Sequence, residues 1–331
     1  MNLRTLALLG WLVLMASCEK EEATVTLPPR TGAQPGRVVL GEDYKTQVFW
    51  DLERNQSVKT STCESWDLSF EASVSGSQVR MNGGKGINLY NTHRSDFNAV
   101  TELPAGFQDN DWGFDDPKGK PEGNYVGAWW DGAAQQSKKE VFIVKVSDTV
   151  SYKMQLLTMT DEAYQFQVAP LAATSGTTVT LPKEAGYNYV YYSFTNGPVP
   201  QPDAPQTNWD LVFTRYRYIY YNLNGTGQNF PYFVTGVLLN PYKVQAAADS
   251  LTPFAQATLE QAQGAAFKND QDVIGGMNWK QYDFGTGRYL VNPRWVYYLH
   301  TRNNQLYKLH FLDFYTNGVK GAPSFESERL Q

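Results

Sequence analysis

The sequence predicts an all-β protein made of two tandem copies of one antiparallel domain. The strand "WDLSF" at Trp66–Phe70 returns as "WDLVF" at Trp209–Phe213, 143 residues later. Further blocks recur in the same order: "VVLGEDYKTQVFWDL" (Val38–Leu52) parallels "VTLPKEAGYNYVYYSF" (Val179–Phe194), and "VFIVKVSDTVSYKMQLL" (Val141–Leu157) parallels "VYYLHTRNNQLYKLHFL" (Val296–Leu312). A repeat of this kind fixes the architecture before any single element is assigned. In both halves β-branched and aromatic residues alternate over short runs bounded by Gly, Pro, Asn and Asp, and 3.6-residue periodicity is scarce. Aromatic residues make up 14 % of the chain, with 21 Tyr and 9 Trp. Such a composition suits half-buried strands and ligand-stacking surfaces alike.

The chain opens with "MNLRTLALLGWLVLMASC", one charge at Arg4 followed by an apolar run and small residues before Cys18. This reads as a signal peptide over residues 1–17, too short for a comfortable membrane span. "LMASC" has the form of a bacterial lipobox, with lipidation expected at Cys18. The "EKEE" that follows resembles the acidic export signal of Bacteroidetes surface lipoproteins, which implies the outer face of the outer membrane. Residues 18–36 are polar and Pro/Gly-containing and are expected to be a flexible tether. The first domain is expected over 37–171 and the second over 177–331, with "APLAATSGTT" at the junction.

Removing residues 1–17 takes away one base and no acid, leaving a net charge of −6. Nucleic acid is therefore an unsuitable partner. With Cys18 lipidated only Cys63 remains, so no intramolecular disulfide is available and stability must come from buried surface. "PYKVQAAADSLTPFAQATLEQAQGAAFKND" predicts one or two short helices in the second copy alone.

In the last hairpin, Asn303-Asn304 is expected as a two-residue turn tolerant of positive φ. That register sets Thr301 against Leu306, His300 against Tyr307 and Tyr297 against His310, so that His300 and His310 point to opposite faces. The Trp-Asp-Leu strand is expected to bury Trp and Leu on one face and to leave Asp67 or Asp210 to bond a neighbouring turn.

The blocks "YVYYSF", "NWDLVFTRYRYIYYNLNG" and "RWVYYLHTRNNQLYKLHFLDFYTNGVKGAPSF" together resemble the HmuY family of Bacteroidetes surface lipoproteins. The resemblance is fullest over 177–331; the first copy shows it more faintly in "ESWDLSF", "NGGKGINLYNTHRSDFNAVTELP" and "VFIVKVSDTVSYKM". It implies tandem all-β domains that bind heme or another iron-bearing compound at the cell surface, ahead of a TonB-dependent outer-membrane transporter. In that family two axial side chains, His or Met, hold the iron. Here "IGGMNWKQYDFGTGRYLVNPRWVYY" places Asp283 and Phe284 where a His is expected, and residues 240–275 contain neither His nor Met. The cofactor-site candidates are therefore Met277, Trp279 and Tyr282 in the second copy and Met81, Trp129 and Trp130 in the first. Met supplies a soft thioether to iron and the aromatic rings a stacking surface.

Other chemistry finds little support. His93, His300 and His310 are too few and too separated for a structural zinc site. "DNDWGFDDPKGKPEGN" lacks the order of a calcium loop, with Gly113 one place early, and is expected to be a solvated turn. The glycine runs at 83–86, 225–228 and 285–287 complete no phosphate-binding pattern. There is no nucleophile motif, and no His lies near Cys63 to activate it. The expected function is non-enzymatic ligand binding, with a glycan-binding or adhesion module on the same scaffold as the alternative.

Overall fold

The computed structural model describes residues 32–331, so the signal peptide and Cys18 lie outside the described residues. The expected all-β class holds: the chain is dominated by antiparallel sheets. One five-stranded sheet runs in the order Gln34–Arg37, Val319–Arg329, Leu306–Thr316, Val296–His300 and Gln245–Asp249. A second runs Thr177–Pro182, Ala163–Pro170, Ser151–Met159, Val141–Lys145 and Asn88–Asn91. The repeated blocks occupy the same places in both, including "SYKM" and "LYKL" in the central strands.

The two four-stranded sheets are mixed between the repeats. One pairs Phe230–Leu239 and Leu211–Tyr220 with the hairpin Thr46–Asp51/Gln56–Thr62 of the first half. The other pairs Leu68–Glu71 and Val79–Met81 with Tyr189–Ser193 and Gly197–Val199 of the second. The registers match: Leu211 faces Trp50 and Phe213 faces Val48, as Leu68 faces Tyr192 and Phe70 faces Val190. Each repeat thus lends its first hairpin to the other. The sequence halves 37–171 and 177–331 are accordingly not the packing units. Val48, Trp50, Leu211, Phe213, Val237, Leu309, Phe311 and Phe325 share one core, while Leu68, Phe70, Val79, Val144, Met154, Phe166 and Tyr192 share the other.

Several local expectations change. Residues 34–36, expected as tether, belong to the strand Gln34–Arg37, whose Gly36 leaves room for the Phe325 ring; a Cβ there would lie 2.3 Å from it. Ala246–Ala248 lie in a strand beside Val296–His300, because sheet pairing overrides the helical propensity of alanine. A short helix does form at Leu259–Gln263, capped by Thr258 with Gln261. The final hairpin closes through three residues, with Asn304 at φ 58°, and sets His300 against Leu306 and Val296 against His310. That one-residue slip puts both histidines on one face, not two.

The Trp-Asp-Leu motif also divides differently from expectation. The strands start at Leu68 and Leu211, so alternation does not extend back to the Trp. Leu211 enters a core, while Trp209 packs edge-on to Phe49, centroids 5.0 Å apart, on the opposite side of the sheet. Trp66 packs on Tyr191 in the same way, also at 5.0 Å. The Asp is fully buried in both copies and bonds backbone, as expected of it.

Candidate functional site

Beside an open cleft of about 440 Å³ bordered by Tyr90, Thr92, Arg94 and residues 99–105, two places on this framework offer a ligand converging polar groups or exposed rings. The first is a chamber of about 160 Å³ lined from both four-stranded sheets. Strand alternation turns Val48, Trp50, Leu68, Phe70, Val190 and Tyr192 into the cores and leaves Gln47, Phe49, Ser69, Tyr189 and Tyr191 on the other faces, against the chamber. The loop carrying Asp115 and Asp116 and the arginines Arg80 and Arg217 complete the lining.

Most charges in this lining have partners. Arg215 donates to the Gly84 carbonyl at 2.6 Å and to Glu64 at 2.7 Å. Asp203 accepts from the Tyr191 hydroxyl, and burial pushes its carboxyl up to about 7. Asp115 accepts from the backbone N–H groups of Met81 at 2.7 Å and Tyr125 at 2.8 Å; burial raises its pKa while Arg80 and Arg217 oppose the rise. Arg217 is pushed down to about 10 by burial, with Asp115 opposing. The "DNDWGFDDPKGKPEGN" loop is therefore not simply solvated. Asp115 is buried, Tyr221 donates to Asp116, and Lys120 pairs with Asp270 at 2.5 Å.

The second place is an aromatic face on the hairpin Leu211–Tyr220/Phe230–Leu239, which is much longer than its counterpart Leu68–Glu71/Val79–Met81. Cross-strand register sets Tyr218 against Tyr232 and Tyr220 against Phe230. Tyr218 and Tyr220 meet edge-on at 5.1 Å, and Tyr220 approaches Tyr232 at 6.0 Å. The row continues onto the hairpin Lys280–Asp283/Arg288–Val291. The phenols of Tyr232, Tyr315 and Tyr282 lie near enough to Tyr289 to add to the effect of burial in raising its pKa. Tyr282 then contacts both Tyr289 and Phe284, each at 5.1 Å. Phe230, Tyr232 and Tyr282 are exposed, and Phe284 is 92 % exposed.

The six residues singled out in the sequence scatter over this geometry. Trp279 is buried in the first core, stacked on Phe311 at 3.8 Å, with its indole N–H on the Gly275 carbonyl. Trp129 is its counterpart in the second core and donates to Ser77 at 2.7 Å, so neither ring is free to stack on a ligand. Trp130 is half-buried against Trp129 at 5.6 Å. Met81 borders the chamber, but its side chain belongs to the second core. Only Tyr282 joins the aromatic face. Half-buried Met277 follows Gly275 and Gly276, which press against the strand Phe230–Leu239, and so lies beside the long hairpin.

The histidines meet neither place. His310 stacks on Phe254 at 4.0 Å and pairs with Glu326 at 3.2 Å, while the His300 ring packs on Phe267 at 4.4 Å. Their shared face separates them by four residues of strand, about 13 Å, too far for one metal. His93 pairs with Glu140 at 3.1 Å on the surface. Among the described residues no group of three or more His, Cys, Asp or Glu is placed to hold a metal ion. Sequence reasoning missed Arg80 and Arg217; their signal was two arginines, in "QVRMNGG" and "RYRYIYY", inside strands where apolar residues dominate.

No curated protein matches the chain with significance. The model of the HmuY protein family matches residues 43–169, which span the exchanged hairpin 46–62 through the strand Ala163–Pro170, and over that stretch the chain is similar to HmuY proteins.

Proposed function

We propose that the protein is a non-enzymatic surface lipoprotein, anchored to the outer membrane through Cys18, that binds heme or another iron-containing compound for a TonB-dependent transporter. The HmuY match over residues 43–169 carries this reading. The matching strand orders support a second HmuY-like copy in the other half. No helix among the described residues is long and apolar enough to cross a membrane, and a lipid on Cys18 would supply attachment.

The chamber does not fit heme, because 160 Å³ falls below the roughly 300–1,000 Å³ of sites for drug-sized ligands. The aromatic face fits better. Its rings meet edge-on and several are exposed, so single ring faces are open to stacking; Tyr282 is among them, Met277 follows the glycines that press on the long hairpin, and phenol and thioether can both ligate iron. Bound there, heme would supply iron as cargo, and Tyr232, Tyr282 and Phe284 would hold the macrocycle. A glycan-binding role is the second reading. It is favoured by the same exposed rings and by the placement of all three histidines away from them.

Hemin titration of the chain from residue 32 tests the first reading. A saturable, sharpened Soret band is expected, weakened by Phe284→Ala with Tyr232→Ala. A featureless titration in both oxidation states refutes heme binding. Retention on a glycan array that is lost in the same double variant establishes the second reading instead.

A further inference from the structure

The chamber between the four-stranded sheets holds more donors than the protein satisfies. Arg80 is 9 % exposed and Arg217 6 % exposed. Arg80 donates through Nη2 to the Asp116 carbonyl at 3.0 Å, but its Nη1 is buried without an acceptor. Arg217 Nη1 is buried without an acceptor as well, and its guanidinium stands 5.5 Å over the Phe114 ring. The indole N–H of Trp66, which also lines the chamber, is a third buried donor without a partner. Buried donors are rarely left unpaired, and charged ones least of all.

The charge balance points the same way. Asp115 is the carboxylate that acts on both arginines, yet no ion pair within 4.0 Å joins it to either among the described residues. Asp116 is engaged by Lys118 N–H and the Tyr221 hydroxyl, and Asp203 by the Tyr191 hydroxyl. Two guanidinium groups therefore face one carboxylate that already has two backbone donors.

Comparison of the repeats shows that the fold does not require this chemistry. Arg80 pairs with Ser69 in its hairpin, and the equivalent pair in the other repeat is Leu238 with Val212. The neighbouring Asn82 and Asn240 are unchanged and make the same bonds, Asn82 to the carbonyls of Cys63 and Trp66 and Asn240 to those of Gln206 and Trp209. The scaffold is thus kept on both sides of the chamber while arginine replaces leucine on one side only.

We propose that the chamber binds a small oxyanion, a phosphate or a short carboxylate, between the guanidinium groups of Arg80 and Arg217 with the Trp66 indole as a further donor. The planar fork of an arginine matches two oxygens of such an anion. A volume of about 160 Å³ restricts the ligand to a few heavy atoms. The proposal is independent of the heme reading, since the aromatic face shares none of these residues.

The test combines two measurements on the chain from residue 32. Protein purified without added oxyanion is denatured and its supernatant analysed by ion chromatography. Native protein is then titrated calorimetrically with phosphate, sulfate and acetate at constant ionic strength against chloride. A stoichiometric released anion or a one-to-one isotherm is expected, and a difference between phosphate and acetate identifies which chemistry the chamber prefers. Arg80→Gln and Arg217→Gln should each weaken binding at least tenfold, while Lys243→Gln, an exposed charge, leaves it unchanged. No stoichiometric anion in either measurement overturns the proposal, as does wild-type affinity in folded Arg217→Gln. If the arginine variants fail to fold, the wild-type measurements alone decide.

Discussion

The buried carboxylate of Asp67 accepts the backbone N–H of Phe194 at 2.7 Å, across 127 residues of chain. Asp210 does the same for Leu52 at 2.9 Å, across 158 residues. Leu52 and Phe194 directly follow equivalent strands of the exchanged hairpins, so each Trp-Asp-Leu motif holds a hairpin donated by the other half of the sequence. The structure therefore predicts interlocked folding. Asp67→Ala removes the acceptor of a buried N–H and the partner of Lys85, 2.6 Å away, and should cost about 3–5 kcal/mol as for other broken buried pairs. Guanidinium unfolding should shift to a lower midpoint as one transition. Two resolved transitions would mean that the repeats fold separately and that the exchange does not link them.

Arg302 completes the second clamp. Its Nη1 reaches Asp210 at 2.5 Å and its Nη2 reaches Asp51 at 2.9 Å, and both carboxylates are fully buried. Burial raises the Asp210 pKa, and Arg302 is the largest influence opposing that rise. Arg302→Met should raise it further. A carboxyl whose folded pKa exceeds its unfolded value favours folding most where both states are protonated, and stability falls as pH rises from the unfolded value towards the folded one. The variant should accordingly differ least from wild type near pH 4 and increasingly towards pH 7, where the deficit should reach about 3–5 kcal/mol. Urea midpoints measured across that range check the sign; a deficit independent of pH would contradict it.

The strands and the recurring blocks were legible in the sequence because they depend on local alternation and on matched stretches such as "WDLSF" and "WDLVF". The exchange was not, because Val48 pairs with Phe213 and nothing in either segment distinguishes that partner from its equivalent, Phe70. The histidine faces were misplaced by one residue of loop length, since Asn303-Asn304 suits a two-residue turn while the chain uses three. Trp129 and Trp279 were separate candidates for stacking on a ligand, yet each indole finds a carbonyl and each ring a core. The exposed aromatic face comes from tyrosines and phenylalanines of two hairpins whose strands read like any other. Arg80 and Arg217 stood out only once their missing partners were known.

Lys280 sits in a cage of rings, with its ammonium about 5 Å from the faces of Trp279, Tyr289 and Phe314 and one hydrogen bond of 3.0 Å to the Gly276 carbonyl. Burial pushes its pKa down to about 7, against the attraction of the three rings for the cation. Between about pH 7 and the ordinary lysine value the unfolded chain binds more protons than the folded one, so stability from this group rises with pH over that window. Lys280→Met keeps the alkyl stem and removes the charge. It should cost under about 1.5 kcal/mol at pH 7, as shape-conserving changes do, and should flatten the rise in stability between pH 7 and 10. An unchanged slope in thermal melts would show that another group sets it.

The segment Asn82–Gly86 lies against the long strand, and its contact is made by backbone. A Cβ on Gly84 would stand 2.2 Å from the Arg215 carbonyl oxygen, which no side-chain rotation can relieve. The same glycine's own carbonyl accepts Arg215 Nε at 2.6 Å, so moving the segment away breaks that bond as well. Gly84→Ala should therefore destabilise by about 1–3 kcal/mol, the usual range for overpacking. Because Arg217 is two residues along the same strand, the shift should also weaken any anion held in the chamber. Gly264 provides the contrast: its φ is −84°, and the nearest contact of an added Cβ is 3.6 Å from the Glu260 carbonyl. Gly264→Ala should be neutral or stabilise by about 0.4–1 kcal/mol through reduced freedom of the unfolded chain. Denaturant midpoints of the two variants should thus move in opposite directions or by very different amounts, and equal shifts would contradict the close approach at Gly84.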